Sequence, residues 1–143
     1  MITETTYRYI SDWVNPFLFG IWICVLAHRM TPKPQGRFVV LSVLATLISA
    51  VAAEQGKIHR ILLGSSTFPS GHEAFCACIA TSLSVAERRW IWVGLTCGVL
   101  LGWALTAAGF HRAIDVFGGA GLGASVTLAV LRIGMPRIKP ADQ

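Results

Sequence analysis

The sequence predicts an all-α fold: a polytopic membrane helical bundle of about five transmembrane helices, preceded by a short N-terminal interfacial helix. Three observations predict it. Of 143 residues, 54% are hydrophobic and 13% charged, roughly half the charge of a soluble domain. Mean hydropathy is +0.61. Apolar runs of helical length alternate with short loops that hold most of the charge. A chain this short has room for a single membrane domain, 1–143.

The elements follow in order. Ile2, Thr6, Tyr9, Ile10 and Trp13 share one helical face, the pattern of a helix lying at headgroup level with Tyr and Trp as anchors. The same segment lacks a basic start followed by an apolar core, so it does not read as a secretory signal. Span one runs from Trp13 to Ala27 and ends at His28-Arg29 and a Pro/Gly turn. Span two covers Phe38 to Ala53, and span three Gly71 to Ala86, ended by Glu87-Arg88-Arg89. Span four, Trp90 to Phe110, is the cleanest, and span five covers Ala113 to Leu131. Crossing a bilayer takes about 20 residues, so the first three spans are expected to borrow flanking residues.

The +5 net charge is spread over loops between apolar spans, which fits anionic lipid headgroups and excludes a nucleic-acid footprint. Cys24, Cys76, Cys78 and Cys97 all lie in apolar runs and read as reduced packing residues. With an odd number of spans the termini fall on opposite sides. Arg29, Lys33, Arg37, Arg88, Arg89, Arg132, Arg137 and Lys139 then share one side, and Arg8, Lys57, Arg60 and Arg112 the other. The richer side is expected to be cytoplasmic, with the N-terminus outside a bacterial cytoplasmic (inner) membrane. Small residues recur every four positions at Gly94, Gly98 and Gly102, and at Gly119 and Gly123. They are expected to pack spans four and five against each other; a homo-oligomer seam is the alternative.

Two polar constellations stand out against this background. His111 and Asp115 are four apart, on one face of a helix, where a carboxylate can fix an imidazole tautomer and free the other nitrogen as nucleophile. In Pro69-Ser70-Gly71-His72, proline sets the entry, serine caps a new helix and glycine lets backbone approach an anion. Both constellations start spans on the outer side. Together they predict phosphoryl transfer: His111 attacks phosphorus, Asp115 orients it and His72 protonates the leaving oxygen. Ser70, Gly71, Lys57, Arg60 and Arg112 are the expected phosphate-binding residues. Neither cofactor nor metal is expected, since cations and backbone donors supply the charge. The competing use of Glu54, His59, His72, Glu73, His111 and Asp115 is a metal site, for which no segment shows firm ligand spacing.

Residues 54–131 resemble the type 2 phosphatidic acid phosphatase superfamily of membrane lipid phosphate phosphatases. The likeness rests on an intact Pro-Ser-Gly-His at Pro69–His72 and an intact His-x3-Asp at His111–Asp115. It implies an antiparallel helical bundle with His111 as nucleophile and His72 as acid, at one membrane face. The pattern departs where the family carries Arg-Pro, here Gly64-Ser65, and where it carries Ser-Arg, here Ala104-Leu105. Glu73 stands where a small residue is usual, and its charge opposes a phosphate.

The expected function is therefore a membrane phosphatase hydrolysing a polyprenyl or glycerolipid phosphate or diphosphate, with membrane lipids as its surroundings and a phosphorylated lipid as substrate. The alternative is a catalytically impaired relative that binds or transports such a lipid, or supports a partner protein.

Overall fold

A computed structural model describes residues 4–29, 34–62 and 65–135. Ile2, Lys33, Gly64, Arg137 and Lys139 lie outside them, with whatever the sequence assigns to those positions.

Among the described residues five α-helices follow one another: α1 (Glu4–Arg29), α2 (Pro34–Ile58), α3 (Gly71–Ala86), α4 (Ile91–Ala107) and α5 (Ala113–Gly134). One turn of 3₁₀ helix, Arg88–Trp90, links α3 to α4. Neighbours in sequence run antiparallel. Arg8 near the start of α1 lies over Phe110 beyond the end of α4, and Lys57 at the end of α2 lies over Gly71 at the start of α3. At the other end, Leu41 of α2 meets Gly134 of α5.

Among the described residues, four helices contain stretches long and apolar enough to cross a membrane: Thr5–Ala27, Gly36–Ile58, Arg88–Ala107 and Ala113–Gly134. The expected interfacial helix does not stand apart. Residues from Glu4 onwards run without a break through Pro16 into α1, because nothing between Tyr9 and Val14 ends a helix. Span two likewise extends through Glu54 to Ile58. The third expected span stays short, since α3 has 16 residues, about 24 Å at helical rise.

The short helix is the central one. Leu18, Trp22 and Leu26 of α1 meet Cys76, Ile79 and Leu83 of α3 and Cys97, Leu101 and Leu105 of α4 in one buried cluster. Each helix contributes a stripe spaced three or four residues apart. From α2 the buried face is small: Ser42, Ala45, Ser49 and Ala53. Outward faces are apolar instead, with Val40, Leu47 and Val51 on α2, Trp92 and Val99 on α4, and Phe117 and Ile133 on α5 all exposed. Large apolar side chains outside and small ones between helices are what lipid contact and close packing in lipid select.

The glycine stripes do not pack α4 against α5, as their spacing predicts; both stripes close onto α3. A Cβ on Gly94 would stand 2.6 Å from the Ala80 methyl. Gly119 and Gly123 lie directly on the carbonyl oxygens of Ser70 and Ala74. Only Gly102 meets the other helix, 2.7 Å from Val116 as a Cβ would be placed. The reason is the packing order: α3 lies between the two helices in space, so each small face meets it first. All four cysteines are free, Cys24 exposed and the others buried.

Candidate active site

Two loops build the site, and helices fix both. Residues 65–70 lead into α3, whose N-cap is Ser70: its Oγ accepts a bond from the Glu73 N–H at 3.4 Å. The Phe68 ring lies directly on Gly118 of α5. Pro69 lies on Gly56 of α2, where a Cβ would approach its ring to 2.6 Å. A side chain at either glycine would lift this loop from the bundle. Residues 108–112 lead into α5. Gly109 takes a left-handed φ of 74°, and the N–H groups of Phe110 and His111 both donate to the Leu105 carbonyl, at 3.0 and 3.2 Å. The Arg8 guanidinium lies 5.5 Å from the Phe110 ring centre, and Tyr7 meets Trp103 edge-on. The start of α1 thus backs the loop that carries His111.

Asp115 joins the two loops. Its carbonyl accepts from Ser70 N–H at 2.9 Å, and its carboxylate Oδ2 accepts from the Thr67 hydroxyl at 2.8 Å. These bonds place Pro69–His72 beside His111–Asp115. The carboxylate is fully buried and well supplied, since Oδ2 also accepts from Arg112 N–H at 3.0 Å and Oδ1 from the Arg112 guanidinium at 3.3 Å.

The His111 side chain is 12% exposed, with Nδ1 4.0 Å from Asp115 Oδ2. That is contact between the groups without a hydrogen bond, and Nδ1 is buried with no partner among the described residues. Burial holds the His111 imidazole below the usual histidine range. Asp115 and the Thr67 carbonyl oppose that shift, while His72 and Lys57, both near enough to act on the ring, reinforce it. A ring held neutral at neutral pH is the form with a free nucleophilic nitrogen.

His72 is exposed on the first turn of α3, and its carbonyl accepts from Asn15 Nδ2 at 3.2 Å. It lines a cavity of about 590 Å³ between α1, α2 and α3, together with Asn15, Phe19, Glu54, Lys57 and Phe75. Lys57 Nζ sits over the start of α3, 3.4 Å from where a Gly71 Cβ would be. It is bonded to Glu54 Oε1 at 2.7 Å. Gly71 therefore lies open beside a cation.

The other expected phosphate ligands are placed differently. Ser70 is buried and its hydroxyl is occupied as a cap. Arg112 faces Asp115. Arg60 is exposed in the turn beyond α2, in a left-handed conformation with φ 48°, and does not line the cavity beside His72. Leu105, at the second missing-arginine position, is 2% exposed in the core. Glu73 points away from His72, buried against Gly98 and Gly102 of α4, so its charge does not face the cavity. Among the described residues, no three His, Cys, Asp or Glu side chains gather to hold a metal ion.

Sequence reasoning missed Thr67 and Asn15, and weighed Glu54 as a metal ligand rather than as the partner of Lys57. Thr67 had a signal, a run of three hydroxyl residues immediately before the Phe-Pro entry. Glu54 had another, standing three residues before Lys57 on one helical face. Asn15 had none, because its role depends on where α1 docks.

No family model, curated protein or solved structure matches this chain.

Proposed function

We propose that the protein is a lipid phosphate phosphatase of the type 2 phosphatidic acid phosphatase kind, working without a metal through a phosphohistidine. The observation that carries this reading is the junction of the two histidine motifs through Asp115, bonded at once to Ser70 and Thr67. The chemistry runs in two steps. The free nitrogen of His111 attacks phosphorus, forming a P–N bond as the P–O bond to the lipid breaks, and protonated His72 gives its proton to the departing alkoxide. Water then attacks the phosphohistidine, His72 takes its proton, and inorganic phosphate leaves with His111 restored. Lys57 and the open N–H groups at the start of α3 hold the phosphoryl oxygens.

The basic-residue asymmetry supports an outward-facing site in a bacterial cytoplasmic membrane, with the N-terminus outside and the C-terminus inside. The substrate enters from surrounding membrane lipids, its tail in the cavity lined by Phe19 and Phe75.

One observation favours a second reading, a catalytically impaired lipid-phosphate binder or partner subunit. Asp115 is occupied by Thr67 and Arg112 and stands 4.0 Å from the ring it is meant to orient. In that reading it caps α5 and links two loops. Phosphate release from a panel of lipid phosphates separates the two, with wild type run beside His72→Ala and His111→Ala. A hydrolase releases phosphate, loses it in both variants and accumulates an acid-labile phosphoenzyme on His111. Release at background level on every substrate selects the binder.

A further inference from the structure

We infer that the protein seats one anionic phospholipid in the leaflet opposite the histidines, in a groove between α1 and the turn that joins α3 to α4. The groove has a volume of about 570 Å³, within the roughly 300–1,000 Å³ range of ligand pockets. On α1 it runs from Pro16 to Val25, about 14 Å at helical rise, and Glu87, Arg89 and Trp90 close its far end. Phe17, Ile21 and Val25 give it an apolar wall. Gly20 keeps it open, since no atom lies within 4 Å of where a Gly20 Cβ would stand. Nothing in this groove draws on the phosphatase chemistry, which belongs to the other end of the bundle.

The two parts of the groove ask for an amphipathic occupant. Arg89 and Trp90 are residue types of headgroup depth, and the α1 wall leads from them into the hydrocarbon. An extended peptide would leave its backbone groups unpaired there; an acyl chain would not. The sign of the headgroup follows from the charges. Glu87 and Arg89 are the charged residues that line the groove. The Glu87 carboxylate accepts from Arg89 Nε and from Trp90 Nε1 and is 13% exposed, whereas the Arg89 side chain is 77% exposed. Arg88 is exposed in the same turn, and Arg29 ends α1 one turn beyond Val25. The other acidic residues of the described helices, Glu4, Asp12, Glu54, Glu73 and Asp115, lie towards the end that holds the histidines. Three basic residues against one occupied carboxylate favour a lipid of net negative charge over a zwitterionic one. A lipid held there ties α1 to the turn between α3 and α4.

The test releases the full chain from nanodiscs of equal phosphatidylglycerol and phosphatidylcholine, with matched acyl chains, and counts retained lipid by native mass spectrometry. Wild type should keep one lipid and favour phosphatidylglycerol about fivefold. Arg89→Gln should bring that ratio to about one, and Arg89→Lys should keep most of it. Arg132→Gln removes a basic residue at the same end but outside the groove and should leave the ratio unchanged. Gly20→Leu fills the groove without meeting the protein and should abolish retention of both lipids. Gly121→Leu, equally open but on α5, should retain lipid as wild type does. Equal retention of the two lipids by wild type, a ratio that survives Arg89→Gln, or a lipid count untouched by Gly20→Leu overturns the inference. So does an equal loss of preference in Arg132→Gln, which would make the attraction general to that end. A dimer that Gly20→Leu dissolves, with no lipid retained, gives the groove to a second copy and overturns it too.

Discussion

In the proposed mechanism His111 is the nucleophile, and its surroundings give the sign of the pH dependence. Burial lowers its pKa, and the neighbouring His72 and Lys57 add to that against Asp115. In that mechanism the nucleophile is the neutral ring, so this requirement is met above the lowered pKa and activity is lost as pH falls through it. The acid limb of phosphate release should therefore be centred below the ordinary histidine value of about 6.5. A limb at or above that value, measured as kcat against pH, would contradict the buried setting of the ring. Thr67 supplies a second prediction. Its hydroxyl holds Asp115 Oδ2 at 2.8 Å, and hydrogen bonds to charged groups contribute about 1.5–3 kcal/mol. Thr67→Val, similar in shape, should slow phosphate release by roughly ten- to a hundredfold, while Thr67→Ser restores most of it. Wild-type activity in Thr67→Val would reduce the hydroxyl to a loop contact.

At the scale of elements, what holds the site together is the seam between α3 and α5. Gly119 and Gly123 rest on the Ser70 and Ala74 carbonyls, which lets the two helix starts sit close enough for the Ser70 N–H to reach the Asp115 carbonyl. Adding a methyl must force the helices apart, and overpacking of this kind costs about 1–3 kcal/mol. Gly119→Ala and Gly123→Ala should lower the thermal midpoint in detergent, and Gly119→Ala should also cut activity. Gly121→Ala, with nothing within 4 Å of the new Cβ, is the matched control and should leave the midpoint unchanged or raised. Equal behaviour of all three would mean that the seam is not tight. This seam also shows where sequence stops being readable. Spans four and five were legible from length and hydropathy, and Ser70 as a cap from the Pro-Ser-Gly start, because those signals are local. The partner of a glycine stripe is not local: it depends on which helix the fold sets between the others, and here that is α3. For the same reason the nearness of His111 and Asp115 was legible from their spacing, while the place of His111 in the loop before α5 rather than on its face, and the diversion of Asp115 towards Thr67 and Arg112, were not.

For the whole molecule, the antiparallel order puts both histidines, Lys57 and the start of α1 at one end of the bundle. Arg37, Arg88, Arg89 and Arg132 gather at the other end, among the described residues. A helical bundle with apolar sides cannot turn over once inserted, because each loop charge would have to cross the hydrocarbon. Sidedness is thus a property of the entire chain, and the basic loops set it during insertion. The expectation is an outward-facing site. Cysteines introduced at His59, in the turn beside the site, and at Arg88, at the far end, read it out; both positions are exposed. In intact cells a membrane-impermeant maleimide should label His59→Cys and leave Arg88→Cys unlabelled until the membrane is opened. The opposite pattern would put the cavity mouth in the cytoplasm and limit the substrate to the inner leaflet. Labelling of both in intact cells would show that the insertion is mixed, and the loop charges would then be too evenly divided to direct it.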